Sequence, residues 1–380
     1  MHWTAHLKTG PKRVNHAAAA VGKTIFTFGG YSTGEEVYTV EGPIDIHVLN
    51  IYQLCWQELP KPLPNTEQYA KTPYQRYGHT AVAFGKNIYL WGGRNEESAC
   101  NRLFCFNTET LKWSTPTVTG TIPCSRDGHS ACIINNSMYI FGGYEEEFER
   151  YSQDVYALDL KTMHWTYIIT EGPPPIYRDF NSGTAIGTRM YIFGGRSDRG
   201  VLNSGGDNFY PNDIVYLDTE TNRWHKPEVK GDIPVGRRSH SAVLHNGKLY
   251  IFGGYNSVLK EHYNDFHCFC PKTNTWSIVP TIGYCPNKRR RQVCIVIENK
   301  MYLFGGTSPS SLNIVSRQHD LMGQYPELID HDDLHVLDLK PSLRTLCMLY
   351  VTKNKLTTSC LPNEIIKDLN LMRTHLSNMG

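Results

Sequence analysis

Six Gly-Gly pairs that end apolar runs divide this 380-residue chain at intervals of 50 to 63 residues. Each pair follows a short apolar run such as MYIF or LYIF, which predicts a buried β-strand. Glycine suits the point at which such a strand must stop and bend, because it has no Cβ to oppose a positive φ. A period of about 50 residues with strand-like content is typical of propeller arrays. The pairs are Gly29-Gly30, Gly92-Gly93, Gly142-Gly143, Gly194-Gly195, Gly253-Gly254 and Gly305-Gly306.

Other residues keep a fixed distance from these pairs. Sixteen residues before each first Gly lies an Arg: Arg13, Arg76, Arg126, Arg178, Arg237 and Arg289. Thirteen residues before it lie His16, His79, His129, Asn181, His240 and Gln292. In five repeats a Trp opens a fourth predicted strand, at Trp56, Trp113, Trp165, Trp224 and Trp276. A residue that recurs in every repeat is explained by architecture, so we expect the Arg and His to bond the backbone between repeats and the Trp to pack there.

The last repeat has Leu343-Arg344 where the other repeats have Trp, whereas Trp3 stands alone near the start. This motif set resembles the kelch family over about residues 1–345. The expected fold class is all-β: a six-bladed kelch β-propeller over residues 1–341, closed by the N-terminal strand. A short C-terminal α-helical segment follows over residues 342–380. Closure removes exposed sheet edges. The alternative is that residues 342–350 supply the last strand.

Composition limits the function and the compartment. The formal net charge of +2 argues against general nucleic-acid binding. No apolar run of membrane-spanning length occurs, and the N-terminus lacks the apolar core of a signal peptide. The eleven cysteines are scattered and include no CxxC pair, which favours reduced thiols. We therefore expect a protein of the cytoplasm and nucleus, with no membrane partner.

Two places in each repeat can carry binding chemistry, since they lie in loops on one face of the predicted disc. These are the two residues after the repeated Arg and the residues just past Gly-Gly. Positive charge gathers there in repeats four to six, negative charge in repeat three, and aromatic residues lie between them. This pattern predicts a ligand with an anionic end and a cationic neighbour, because the Arg fork binds carboxylates. The predicted binding residues are Arg196, Arg199, Arg238, Ser239, Arg291, Tyr144, Tyr255, Glu145 and Glu146, with Arg290, Glu147 and Phe180 beside them.

Simpler explanations stay open for each group. Residues 288–291 are equally typical of a solvated loop or a nuclear-import run. Arg196 and Arg199 can solvate a long loop, and the glutamates can solvate the surface. The chain has no phosphate loop and no HExxH, so we expect neither an enzyme nor a cofactor or metal.

The C-terminal sequence predicts two short helices that are apolar on one side. SLRTLCMLYV is similar to the BC box by which substrate receptors dock on elongin C, with Ser342, Leu343, Cys347 and Val351 at its motif positions. LPNEIIKDL resembles the adjoining cullin box of the cullin-2 type, with Leu361, Pro362, Ile365 and Leu369. The alternative is a helical cap packed on the disc.

The whole chain thus resembles the kelch-repeat substrate receptors of cullin-2 RING ubiquitin ligases. The resemblance implies a receptor that captures proteins ending in glycine, with elongin B, elongin C, cullin-2 and its RING subunit as partners. It implies that Arg196 and a second Arg near Arg199 hold the terminal carboxylate. The Ser of that motif is replaced by Arg238, with Ser239 next to it. The acidic residues would then select a basic residue before the glycine, and Gly380 would occupy the pocket of its own or a neighbouring chain. The alternative function is a non-ligase kelch scaffold that binds actin, chromatin or another protein.

Overall fold

Sheets of four antiparallel strands account for most of the fold. The computed structural model describes residues 1–6, 10–33, 42–198, 208–310, 327–354, 356–359, 361–366 and 369. In each sheet the second strand is the apolar run before Gly-Gly, and its neighbours on both sides are the first and third strands of the same repeat. The chain is therefore all-β apart from short helices, as its alternating apolar segments predict.

The first three sheets follow one another along the chain. Sheet 1 consists of Ala17–Val21, Thr24–Phe28, Ile46–Asn50 and Cys55–Glu58. Sheet 2 consists of Tyr77–Phe84, Asn87–Arg94, Leu103–Asn107 and Lys112–Ser114. Sheet 3 consists of Ser130–Ile134, Ser137–Phe141, Val155–Asp159 and His164–Tyr167, with Thr119–Gly120 added in parallel.

The other three sheets repeat this order. Sheet 4 consists of Ser182–Ile186, Arg189–Phe193, Ile214–Asp218 and Arg223–His225. Sheet 5 consists of Ser241–His245, Lys248–Phe252, Phe266–Cys270 and Thr275–Ile278, with Lys230–Gly231 added in parallel. Sheet 6 consists of Val293–Ile297, Lys300–Phe304, Leu334–Asp338 and the N-terminal His2–His6, with Ile282–Gly283 added in parallel.

The fourth strand of sheet 6 comes from the opposite end of the chain. His2–His6 pairs antiparallel with Leu334–Asp338, and Trp3 lies opposite Leu337. Residues 342–350, the alternative candidate for this strand, instead form the cap and most of the helix Leu343–Lys353. The N-terminus therefore supplies the Trp-bearing strand that the sixth repeat lacks.

Short two-stranded elements and helices lie outside the sheets. The ladders are Arg126–Asp127 with Tyr144–Glu145 and Arg150–Tyr151, Ser197–Asp198 with Asn208–Phe209, Tyr255–Asn256 with Glu261–His262, and Thr307–Pro309 with Leu328–Asp330. Glu67–Lys71 is a single helical turn, and residues 363–366 form another. No helix of the described residues is long and apolar enough to cross a membrane.

The core lies between neighbouring sheets, where each Trp of a fourth strand packs on the aromatic residue that precedes Gly-Gly in the preceding repeat. Their ring centroids lie 4.9 to 5.7 Å apart, which is the range of favourable aromatic pairs. This confirms that the Trp set packs between repeats. The pairs are Trp56–Phe304, Trp113–Phe28, Trp165–Trp91, Trp224–Phe141, Trp276–Phe193 and Trp3–Phe252.

The repeated Arg joins two repeats. In repeat four, the Arg178 guanidinium donates to the carbonyl of Gly194 in its own repeat at 3.0 Å. The Arg178 carbonyl accepts from Gly143 of the preceding repeat at 2.9 Å. The main chain thus makes the expected bond between repeats, whereas the side chain bonds within its own repeat. A Cβ on Gly142 would lie 2.6 Å from that Arg178 carbonyl, which explains the glycine there.

The innermost parts of the repeats form a continuous hydrogen-bonded ring. The first strand of each sheet contacts that of the next, and Val293–Ile297 contacts Ala17–Val21. At the start of these strands, one residue of each repeat donates its backbone N–H to the carbonyl of its counterpart in the preceding repeat, at 2.6 to 3.3 Å. The bonds run from Asn15 to Arg291, Gly78 to Asn15, Gly128 to Gly78, Phe180 to Gly128, Ser239 to Phe180 and Arg291 to Ser239.

Candidate binding face around the channel

The backbone brings together the two places in each repeat that the sequence singled out. The residue after the repeated Arg pairs with the residue just past Gly-Gly, in an antiparallel bridge, in every repeat. These twelve positions therefore lie together on one face, next to the second residue after each repeated Arg. The pairs are Val14–Tyr31, Tyr77–Arg94, Asp127–Tyr144, Asp179–Arg196, Arg238–Tyr255 and Arg290–Thr307.

A channel opens at the centre of these pairs. Its volume is about 190 Å³, and each repeat contributes two neighbouring residues to its wall. Arg291 and Ser239 line it from the basic side, whereas Gly78 and Gly128 contribute no side chain to the opposite wall. The face thus has a narrow concave centre.

Arg196 lies beside a buried carboxylate. Its Nε and a terminal nitrogen bond the two oxygens of Asp179, at 3.2 and 2.5 Å, and its guanidinium lies 5.4 Å from the centre of the Tyr151 ring. Burial opposes the charge of Arg196, but the Asp179 carboxylate outweighs it and raises the pKa of Arg196. Arg196 is therefore not a solvated loop residue.

Three more arginines, Arg238, Arg290 and Arg291, gather on the basic side of the face. Among the described residues, none of the three forms an ion pair with a carboxylate, and the Nε of each is buried without a hydrogen-bond partner. Burial, followed by the charges of Arg291 and Arg238, lowers the pKa of Arg290 to about 10. This placement contradicts the interpretation of residues 288–291 as an open solvated run, since Arg289 is buried and Lys288 alone of the four is exposed.

Aromatic rings support these cations. Arg238 and Arg290 lie over the same ring, that of Tyr255, at 5.8 and 4.4 Å from its centre. Arg291 lies over Tyr31 at 5.9 Å and donates a hydrogen bond to its hydroxyl. Burial and then the charges of Arg290 and Arg238 lower the pKa of His262, which packs on Tyr255, to about 3. His262 is thus neutral and adds no charge to the cluster.

Asp127 lies on this face in repeat three, within electrostatic range of Arg94 and Arg196. Its side chain is buried, and it makes no hydrogen bond or ion pair with any residue that the structure describes. Burial and then the charge of Asp179 raise the pKa of Asp127 to about 6, against the opposing effect of Arg94 and Arg196. A Cβ on Gly78 would lie 3.2 Å from the Asp127 carboxylate, so the glycine leaves room beside this carboxylate.

The predicted acidic residues are engaged in other contacts. Glu145 is buried, with its oxygens bonded to Arg126 at 2.5 Å and to Arg150 at 2.7 Å. Glu146 pairs with Arg94 at 3.0 Å and accepts a 2.6 Å bond from the backbone of Ala99. Both carboxylates thus have an ion-pair partner, whereas Asp127 has none among the described residues. Tyr144 packs edge-on against Tyr151 on the same face.

The structure places Ser239 directly on the channel wall. It is buried with φ at 56°, and its hydroxyl oxygen has no hydrogen-bond partner among the described residues. Arg199 lies outside the described residues. The sequence interpretation missed Asp127, Asp179, Tyr31 and Tyr151. The signal was available for the two Asp residues, because each follows the repeated Arg directly.

The helix Leu343–Lys353 presents most of its predicted motif to solvent. Ser342 caps it by accepting a 3.1 Å bond from the Thr345 N–H. Leu343 is 78% exposed and Tyr350 is 64% exposed, with Leu346 and Cys347 exposed between them. The chain buries a different part of the helix, including Met348, and half-buries Val351. The helix is therefore not a cap that hides its Leu and Cys.

The second motif begins a helical turn. The N–H of Ile366 donates to the carbonyl of Pro362 at 3.0 Å, so the proline stands in the first turn as expected. Pro362 is exposed, Leu361 and Ile365 are half-buried, and Leu369 is buried. Within the described ranges, no group of three or more His, Cys, Asp or Glu residues is placed to hold a metal.

Comparison with known proteins identifies the repeat. Residues 78–306 match the family model described as the KLHDC2/KLHL20/DRC7 Kelch-repeats domain. Kelch domain-containing protein 3 of Homo sapiens and that of Bos taurus are each 47% identical, over 99% of this chain and 97% of theirs. Host cell factor 2 of Homo sapiens is 32% identical over 65% of this chain and 33% of its own length. The chain therefore belongs to the kelch-repeat family, whose β-propeller repeats are generally non-catalytic protein-interaction domains, and it is similar to Kelch domain-containing protein 3 over nearly its full length.

Proposed function

We propose that this chain is the substrate-recognition subunit of a cullin-2 RING ubiquitin ligase. In this proposal, its six sheets are the six blades of a closed kelch propeller that binds the C-terminal glycine of target proteins. The chain itself is not an enzyme and needs no cofactor. Its targets are ubiquitinated by the assembled ligase and then degraded by the proteasome.

The observation that carries the proposal is the cluster of arginines beside the channel, which have no carboxylate partner in the described part of the chain. A terminal carboxylate would supply a counter-ion to these half-buried guanidinium groups. Each charge-assisted hydrogen bond between them contributes ~1.5–3 kcal/mol to the binding free energy. Two or three such bonds with aromatic contacts supply the roughly 8 kcal/mol of micromolar binding. Because the channel is narrow, it accepts a chain end without a bulky side chain, which favours glycine.

Asp127 supports the expected preference for a basic residue before that glycine. Glu145 and Glu146 are already paired, so the carboxylate without a partner near the channel is the better acceptor for a ligand cation. The basic and acidic sides of the face thus match a chain end with a carboxylate and a neighbouring positive charge.

The exposed helix Leu343–Lys353 supports the ligase role. Apolar side chains that a chain leaves exposed on one side of a helix are typical of a docking surface. We propose that it binds elongin C, which brings elongin B, and that the segment from Leu361 binds cullin-2 with its RING subunit. The proposed compartments are the cytoplasm and nucleus. No nucleic-acid or membrane partner is part of the proposal.

The test is binding of a short peptide ending in Arg-Gly, as the free acid and as the C-terminal amide. We expect the acid to bind in the micromolar range or tighter and the amide to bind at least tenfold more weakly. Equal binding of both would contradict a carboxylate pocket and would favour a kelch scaffold for actin, chromatin or another partner.

The chain's own C-terminus provides a further part of the proposal. Gly380 lies outside the described residues, and we propose that it competes for the same pocket in its own chain or in another copy. Adding one residue after Gly380 should then raise peptide affinity or dissociate an oligomer. No change in either would exclude this self-recognition.

A further inference from the structure

We propose that Arg238, Arg290 and Arg291 form the anion clamp of this face, with Ser239 as an additional donor, and that Arg196 positions the pocket wall through Asp179. The inference rests on the proposed function, and it changes which residues hold the carboxylate. The resemblance to the kelch-repeat substrate receptors alone assigned the binding of the terminal carboxylate to Arg196.

Arg196 already has an anion. Its Nε and one terminal nitrogen are bonded to the two oxygens of Asp179, and the Asp179 side chain is fully buried. A ligand carboxylate that took this fork would leave Asp179 buried without its counter-ion, which is strongly unfavourable. Arg196 is a positioning residue because it neutralises Asp179 and holds Tyr151 by stacking.

The other three guanidiniums have no such partner among the residues that the structure describes. Arg238 and Arg290 share the ring of Tyr255, and Arg291 is held by Tyr31, so aromatic contacts fix the cations without neutralising them. Each Nε is buried and bonds no acceptor in the described part of the chain. Three like charges held together in a half-buried site repel one another, and an entering anion removes that cost.

A second feature points to the same place. The Ser239 hydroxyl oxygen is buried, bonds no described residue and lies on the channel wall next to Arg291. A buried hydroxyl without a partner costs free energy, which a bonded ligand oxygen would recover. The wall therefore offers a neutral donor beside charged ones, which suits the two oxygens of a peptide carboxylate.

The experiment compares the acid-to-amide affinity ratio of the Arg-Gly peptide among variants. We expect Arg238→Gln and Arg290→Gln to lower the ratio about tenfold or more, since each removes a charge-assisted bond. Arg196→Gln should weaken the acid and the amide alike and leave the ratio nearly unchanged. Arg94→Gln is the matched control, because Arg94 occupies the position of Arg196 in repeat two and pairs with Glu146.

The outcomes separate the inference from the proposed function. If Arg196→Gln removes the discrimination while Arg290→Gln keeps it, Arg196 is the clamp and the inference is wrong, although the carboxylate pocket stands. If the unsubstituted protein shows no discrimination, the proposed function itself fails. Should Arg196→Gln not fold, Arg196→Lys keeps a charge beside Asp179 and should retain the full ratio. Loss of the ratio in Arg196→Lys would also overturn the inference.

Discussion

The backbone N–H of Asn15 donates to the carbonyl of Arg291, at 3.3 Å, and so joins the first repeat to the sixth. Both residues have a positive φ, as do their counterparts in the other repeats. The bond repeats the geometry of the five other links between neighbouring repeats. Arg291 therefore has two roles, since its backbone belongs to this ring and its side chain to the basic cluster.

Truncation of Trp3 should cost much of the chain's stability. Trp3 is fully buried between Phe252 and Leu337, and it brings the N-terminal strand to sheet 6. We expect Trp3→Ala to lower the free energy of unfolding by about 3–5 kcal/mol, as for other buried Trp residues. Urea denaturation measures this value. The control is Tyr52→Ala, at an exposed loop position, and a loss below about 1 kcal/mol in Trp3→Ala would contradict the packing role.

The double variant Leu343→Ala, Cys347→Ala should lose elongin without losing the fold. Both side chains are exposed, so their removal leaves no cavity. We expect co-purification of elongin B and C to fall at least tenfold while the melting temperature stays the same. Ile169→Ala is the control, because Ile169 is 79% exposed but lies on the propeller. Undiminished elongin in the double variant would show that the BC-box assignment is wrong.

The preference for a basic residue should depend on pH through Asp127. Its pKa of about 6 means that the carboxylate is protonated below that pH and charged above it. The affinity of an Arg-Gly peptide relative to an Ala-Gly peptide should therefore rise between pH 5 and pH 7. Asp127→Asn should make the ratio low and independent of pH in this range. A ratio that keeps its pH dependence in this variant would assign the preference to another group.

Asp127 should also lower stability at neutral pH. Because its pKa is raised in the folded state, folding favours the protonated acid, and stability falls as the pH rises from about 4 to 6. The charged form then remains unfavourable above pH 6. We expect Asp127→Asn to stabilise the ligand-free protein at pH 7 by up to about 3 kcal/mol and to have little effect at pH 4. Thermal unfolding at both pH values measures the difference.

Arg196 and Arg290 should affect stability with opposite sign in the ligand-free protein. Arg196→Gln leaves Asp179 buried without its partner and should cost about 3 kcal/mol. Arg290→Gln removes one of three repelling charges and should raise stability, by on the order of 1 kcal/mol. Chemical denaturation without peptide measures both. The same sign for the two variants would contradict the difference in pairing that the structure shows.

Much of the fold could be predicted from the sequence, because the same local sequence pattern occurs six times along the chain. The apolar run, the Gly-Gly pair and the Trp each indicate a strand or a bend that lies within a few residues of them in the sequence. The pairing of the positions after the repeated Arg and after Gly-Gly on one face is shown by the structure, and their role in binding stays a prediction. Which carboxylates on this face form ion pairs was predicted less well. Glu145 and Asp127 both carry a carboxylate, and the fold places an arginine beside Glu145.

The sequence by itself determined the family, the strands, the capped helix at Ser342 and the basic character of repeats four to six. Only the tertiary structure decided that Trp3 completes sheet 6 and that Arg196 is neutralised, whereas Arg238, Arg290 and Arg291 have no carboxylate partner among the residues it describes. The physical reason is that strand formation depends on side chains close in sequence, whereas the state of a charge depends on what burial and folding place within a few ångströms of it.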